Sequence, residues 1–171
     1  MLVICDIDGV VADISNRLPY MKRGDYDNFY ADANVLTDRL IEDGKTLARQ
    51  FGNDSYEQRH GGRPRFIFLT GRPERTRQAT TEWLRRNGLE APLFMRANGD
   101  HRKSEVVKPE LVAAILGSYK SYFCDIDDEN IFFIDDDPKN IEAVESIFNT
   151  ADKVNVRGLL FGSERLNEEK E

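Results

Sequence analysis

The sequence predicts a doubly wound, Rossmann-like α/β domain built on a parallel sheet. Three observations predict it: five short apolar runs of strand length, helical patterns between them, and hydrophobicity that is mostly continuous rather than alternating within the runs. Continuous runs suit strands covered on both faces, and strands separated by helices pair in parallel through crossovers. The first run is Leu2-Val3-Ile4-Cys5. Ile14 to Ala33 falls outside the rhythm, being polar and aromatic with Pro19 and Gly24, and reads as a small insertion. Val35, Leu36, Leu40, Ile41, Leu47 and Phe51 lie mostly on one helical face, which Gly44 weakens. Gly52 to Arg65 reads as a loop. The second strand is Phe66 to Leu69, and the helix from Glu74 to Asn87 opens behind Pro73 and stops before Gly88. Pro92 to Met95 is the third strand, and Pro109 opens a helix over Glu110 to Leu116. Ile131 to Ile134 is the fourth strand, Pro138 opens the helix from Lys139 to Phe148, and Lys153 to Val156 is the fifth strand.

Composition narrows the function classes. The 171 residues carry 24 Lys+Arg against 31 Asp+Glu, a net charge of −7, with 40% hydrophobic and 32% charged residues. This fits one globular domain over 1–160, followed by a charged tail over 161–171. No apolar run approaches the roughly 20 residues of a membrane span. Met1 to Ile4 meets Asp6 and Asp8 too soon for a secretory signal. Cys5 and Cys124 make neither a disulfide framework nor a CxxC zinc motif, so the expected compartment is the reducing cytoplasm. The acidic balance argues against coating nucleic acid through bulk charge, but leaves room for a local basic path.

In a doubly wound sheet, ligands bind beyond the carboxyl ends of the strands. The first strand runs into Asp6-Ile7-Asp8-Gly9, the second into Thr70-Gly71-Arg72 and the fourth into Asp135-Asp136-Asp137. A parallel sheet brings all three clusters to one edge. Asp6, Asp8, Asp135 and Asp136 together require a cation or raised pKa values, and an all-oxygen donor set suits Mg²⁺. The Asp6-x-Asp8 spacing suits phosphate monoester hydrolysis. Asp6 attacks phosphorus and forms an aspartyl-phosphate, while Asp8 protonates the leaving oxygen and later activates water. Thr70 and the backbone N–H at Gly71 are placed to hold a phosphoryl oxygen. Lys108, with Lys103 as runner-up, is the cation for the transferring group.

Asp6-Ile7-Asp8-Gly9-Val10-Val11-Ala12-Asp13, Leu69-Thr70-Gly71-Arg72-Pro73, Lys108 and Ile134 to Asn140 resemble the four ordered motifs of the haloacid dehalogenase (HAD) superfamily. The stretch from Phe94 to Lys108, with Arg17 eleven positions after Asp6, is similar to the 3′-phosphatase domain of phage-type polynucleotide kinase/phosphatase. The resemblance implies a HAD-type fold with a minimal cap or none, and a Mg²⁺-dependent phosphatase acting on nucleic acid 3′-phosphate ends. It makes Asp6 the nucleophile, Asp8 the acid/base, Asp135 a magnesium ligand with Asp136 close to the metal, and Thr70 and Lys108 phosphate-holding residues. It sets Arg17, Arg72 and Arg96 against substrate. It further implies a kinase or ligase acting in trans, because the chain carries no GxxxxGK[ST] P-loop. Ser104 stands where that family usually shows an acidic residue. Lys108 follows Arg72 by only 36 positions, which leaves no room for a large cap between them.

Other features read more plainly. Asp125 to Glu129 precedes its strand and is a solvated turn at the opposite edge. Cys5 is a buried small hydrophobe, His60 and His101 are surface residues, and Trp83 belongs to the core. Tyr20, Tyr26, Phe29 and Tyr30 are expected to pack the insertion over the sheet edge, with stacking on bases near a nucleic-acid end as the alternative. Arg75 and Arg77 divide evenly between solvent and substrate. Two other functions fit some of the residues: a small-molecule phosphatase such as a nucleotidase, and a non-enzymatic, receiver-like phospho-Asp signalling module. A DxD glycosyltransferase is weaker, since it leaves Thr70 and Lys108 without a role.

Overall fold

A computed structural model describes residues 1–52, 64–123, 130–148 and 156–162. The expectations for His60, most of the 52–65 loop, Cys124, the Asp125–Glu129 cluster, Lys153 to Asn155 and most of the tail lie outside these residues.

The main sheet has five parallel strands: β1 (Leu2–Cys5), β4 (Phe66–Pro73), β5 (Leu93–Arg96), β6 (Ile131–Asp135) and β7 (Val156–Leu160). Their order is β5-β4-β1-β6-β7, so the first strand of the chain lies at the centre. Cys5 is level with Phe68 of β4 on one side and Ile134 of β6 on the other. Successive side chains on β1 meet opposite layers, as strand alternation requires. Leu2 and Ile4 join Ile67, Leu69, Val112, Ile115, Phe133 and Val144 on one face, beneath helices α6 (Ser104–Phe123) and α7 (Pro138–Phe148). Val3 and Cys5 join Phe66, Phe68, Ala48, Trp83 and Leu84 on the other, beneath α4 (Glu42–Gly52) and α5 (Arg77–Arg86). Both faces are covered, which explains the continuous apolar runs. The doubly wound class read from the sequence is the class observed.

Several boundaries differ from the sequence reading; among them, β7 begins at Val156, where the expected fifth strand ended, and the helix expected from Glu74 opens as a 3-10 turn over Glu74–Thr76 before α5. The apolar pattern from Val35 to Phe51 is not one helix. It divides into α3 (Asp32–Val35), a short strand β3 (Arg39–Leu40) paired antiparallel with β2 (Ala12–Asp13), and then α4. Ile41 N–H bonds to the Val11 carbonyl at 2.9 Å, so tertiary pairing overrides the helical period there. Gly44 has a packing reason, because a Cβ at that position would lie 1.8 Å from the Val10 carbonyl oxygen. β4 continues through Thr70-Gly71-Arg72 to Pro73, with a register shift against β5 between Thr70 and Pro73. Helix α6 starts at Ser104, a turn and a half before Pro109, so Lys108 sits inside the helix. The insertion is a chain of short helices: α1 (Leu18–Lys22), α2 (Tyr26–Phe29) and α3. Among the described residues, no helix is long and apolar enough to cross a membrane.

Candidate active site

Register alone brings the acidic residues together. β1 and β6 are paired up to Cys5 and Ile134, and Asp6 N–H continues the ladder to the Ile134 carbonyl at 2.9 Å. Asp6 and Asp135 therefore leave the sheet side by side. Lys108 Nζ lies between them, 2.5 Å from Asp6 Oδ2 and 2.6 Å from Asp135 Oδ2, and all three are buried. Lys103, the runner-up, is an exposed partner of Glu105. Asp135 Oδ1 accepts bonds from Asp137 N–H and Asn140 Nδ2, both at 3.0 Å, which fixes that carboxylate.

Asp6, Asp135 and Asp136 each offer a ligand atom within 4.8 Å of the others. Asp6 Oδ1 is buried and has no hydrogen-bond partner, so one oxygen of the trio faces the site unsatisfied. Burial pushes the Asp6 carboxyl well above the ordinary carboxylate range; the charges of Asp135 and Asp8 add to this, and Lys108 opposes it. Partial burial, then the charge of Asp135, pushes Asp136 up to about 6. Burial alone would lower Lys108, but Asp6 and Asp135 hold it above its ordinary value. The site thus carries more negative charge than Lys108 cancels, and it presents only oxygen donors. Both features fit a hard divalent cation such as Mg²⁺. Gly9 is part of this construction. Its φ is +81°, and a Cβ there would fall 1.9 Å from Asp136 Oδ2.

Asp8 faces elsewhere. Its Oδ1 accepts from Arg17 Nη2 and Arg72 Nε, both at 2.9 Å, and also from Arg72 Nη2. Burial raises the Asp8 carboxyl, but the guanidiniums of Arg72 and Arg17 outweigh that and hold it below the ordinary range. The Asp8 side chain, expected among the metal ligands, is placed outside the acidic trio and is held by two cations. Arg17 and Arg72, expected to meet substrate, are placed against Asp8, and both guanidiniums are fully buried, with 0% side-chain exposure. Buried guanidiniums need carboxylates, and here the second one is Asp38. Asp38 accepts from Arg17 Nε at 2.8 Å, Arg17 Nη2 at 2.9 Å and Arg72 Nη2 at 2.7 Å. Trp83 Nε1 holds the Asp38 carbonyl at 2.8 Å, giving this core residue a polar task. Burial pushes the Asp38 carboxyl up while the two guanidiniums pull it down.

Sequence reasoning missed Asp38. It sits in the irregular stretch before β3, with no motif around it. The available signal was indirect, since two arginines beside one aspartate require another anion if they are buried. Thr70 is fully buried within β4, its Oγ1 accepting from Arg72 N–H at 3.2 Å. The Cβ position of Gly71 lies 3.4 Å from both Arg96 Nη2 and Ser104 Oγ. Arg96 is half-buried and donates to Ser104 Oγ at 3.1 Å and to the carbonyl of Arg102 at 2.5 Å. Cys5 is buried, and burial together with Asp6 and Asp135 keeps its thiol well above the ordinary range, so it has no nucleophilic part here. Arg77 pairs with Glu74 at 2.6 Å, and His101 is exposed.

A family model of the polynucleotide kinase PNKP phosphatase domain matches residues 1–132. A chain of the Pnkp1/Rnl/Hen1 RNA repair complex has a similar fold, with a TM-score of 0.61 and 20% identity over 95% of this chain and 43% of that one. A further structure of the Pnkp1/Rnl/Hen1 complex gives 0.55 and 20% over 95% and 46%. The HAD domain of the effector protein Lem4 from Legionella pneumophila gives 0.51 and 13% over 98% and 92%. This chain spans less than half the length of the repair-complex chains it matches. No curated protein matches the sequence.

Proposed function

Because the chain belongs to the polynucleotide kinase PNKP phosphatase-domain family of HAD-type phosphatases, we propose that it is a Mg²⁺-dependent phosphomonoesterase that removes 3′-phosphate from polynucleotide ends. One observation carries the chemistry: Lys108 joins Asp6 to Asp135 at the sheet edge, while Asp8 is held separately by two buried guanidiniums. One carboxylate is set to attack and the other to exchange protons.

Asp6 attacks phosphorus and becomes an aspartyl-phosphate, while the leaving 3′-oxygen takes a proton from Asp8. In the substrate-free site the two arginines keep Asp8 ionised. The incoming phosphoryl dianion opposes that ionisation and favours the proton Asp8 must deliver. After the nucleoside leaves, the ionised form is restored. Asp8 then takes a proton from water as the water attacks the aspartyl-phosphate, releasing inorganic phosphate and regenerating Asp6. Thr70 Oγ1 and the Gly71 N–H hold phosphoryl oxygens, and Lys108 keeps Asp6 oriented and neutralises charge on the transferring group. Asp6, Asp135 and Asp136 would hold Mg²⁺, which when bound supplies charge neutralisation between nucleophile and phosphate.

The family match supports a polynucleotide end as substrate. The likeness to a chain of an RNA repair complex supports RNA ends and a kinase or ligase working in trans. The test is phosphate release, with Mg²⁺ and with EDTA, from oligonucleotides bearing 3′-phosphate, 5′-phosphate or 2′,3′-cyclic phosphate and from nucleoside 3′-monophosphates. We expect release from 3′-phosphate ends only, lost in EDTA and in Asp6→Asn. Turnover confined to mononucleotides would establish the nucleotidase reading instead. A long-lived phospho-Asp6 without turnover would establish the receiver-like one.

A further inference from the structure

If Asp8 delivers the proton to the leaving oxygen, the terminal nucleoside must sit on the Asp8 side of the site. An aromatic pair from the insertion stands on that side. Phe29 is buried under Arg17, whose guanidinium carbon is 4.6 Å from the ring centroid. The Phe29 carbonyl accepts from Arg17 Nη1 at 3.4 Å, and Nη2 of the same guanidinium binds Asp8 at 2.9 Å. Tyr30 follows directly. Its ring packs edge-on against Phe29, with centroids 4.7 Å apart and planes at 75°, yet Tyr30 is only half-buried. The charges of Asp8, Arg96, Arg17 and Arg72 all act on its hydroxyl, which burial and then Asp8 push above the ordinary value. The hydroxyl therefore stays neutral at physiological pH, and the ring is linked to the proton donor through Phe29 and Arg17.

The other insertion aromatics are placed differently. Arg23 lies over the Tyr20 ring at 5.2 Å, and Tyr26 is exposed. Phe29 is the buried member of the group and does the expected packing, whereas Tyr30 stays partly accessible. Tyr30 is also held in place. It caps the C-terminus of α2, and Asn34 Nδ2 bonds the Asn28 carbonyl at 2.6 Å across the same loop.

We propose that Tyr30 is a specificity-determining residue whose ring stacks on the terminal base of the strand and seats its 3′-phosphate against Asp6. This deepens the 3′-phosphatase reading and rests on it. Stacking on an aromatic platform tolerates any base, because every base has a π-face. Tyr30 would therefore select for the presence of a base and not for its identity.

The test compares two substrates: an oligonucleotide ending in a nucleoside 3′-phosphate, and the same strand ending in an abasic residue that carries the 3′-phosphate. The readout is the ratio of their kcat/KM values. Wild type should prefer the base-bearing end. Tyr30→Ala and the bulkier Tyr30→Leu should each lower the ratio about ten-fold, mainly through KM for the base-bearing end, and Tyr30→Phe should keep the wild-type ratio. A ratio unchanged in both Ala and Leu variants, with either end slowed equally, would make Tyr30 a packing residue and overturn the proposal. Wild-type protein that cleaves neither end would instead overturn the underlying 3′-phosphatase reading and this inference with it, a result distinct from lost discrimination with turnover intact.

Discussion

Asp38→Asn tests the clamp that holds Asp8. The Asp38 carboxylate receives three N–H bonds from two fully buried guanidiniums. The amide has nearly the same volume but no charge, and its NH₂ must face donors. Arg17 and Arg72 then share a single carboxylate, Asp8. Removing one partner of a buried ion network costs about 3–5 kcal/mol. Burial already penalises the Asp38 anion, as the upward push on its carboxyl shows, and that penalty is recovered in the variant. The lower end, about 3 kcal/mol, is therefore expected, a fall in Tm of about 6–12 °C for a chain of this length. Asp8, now the sole anion for two cations, should ionise even more readily and become a poorer proton donor. Proton delivery to the leaving oxygen should slow, and the alkaline limb of the kcat profile, where Asp8 loses the proton it must donate, should move to lower pH. Urea denaturation and a pH–rate series on a 3′-phosphorylated oligonucleotide measure both. A loss under 1 kcal/mol together with an unmoved alkaline limb would refute the clamp.

Three further outcomes are expected. Gly9→Ala places a methyl at a φ of +81° and within 1.9 Å of Asp136 Oδ2; the backbone strain is about 1–2 kcal/mol, and the displaced carboxylate should weaken the thermal stabilisation conferred by Mg²⁺ more than it weakens the metal-free fold. Gly44→Ala puts its Cβ 1.8 Å from the Val10 carbonyl; backbone cannot yield cheaply there, so unfolding in urea should show a loss of about 2 kcal/mol or more. Without divalent cation, Asp136 should titrate near about 6 by carboxyl NMR, from partial burial and then the Asp135 charge. Because the folded pKa is raised above the unfolded value of about 3.9, its stability contribution is full below about pH 4 and lost as pH rises through about 6. Asp136→Asn should flatten that slope, and saturating Mg²⁺ should pull the titration to lower pH.

The sequence by itself determined the class of the fold and the three strand ends that matter. Each is a local signal: a short apolar run followed at once by DxD, Thr-Gly or Asp-Asp, in a pattern that admits only parallel, doubly covered strands. It also singled out Lys108, though it placed that lysine just ahead of its helix, because Pro109 reads as a start signal and in fact lies inside α6. What only the tertiary structure decided was the division of labour among the charges. Asp6 and Asp135 meet through the β1–β6 register, which no spacing along the chain encodes. Asp8 turns from the metal-type cluster towards Arg17 and Arg72 because those guanidiniums are buried, and burial depends on how the insertion closes over the sheet edge. Asp38 completes that clamp from 30 residues beyond Asp8, in a stretch without period or motif. A buried charge is satisfied by whichever opposite charge the fold brings near, and that neighbour follows from three-dimensional packing, not from sequence order.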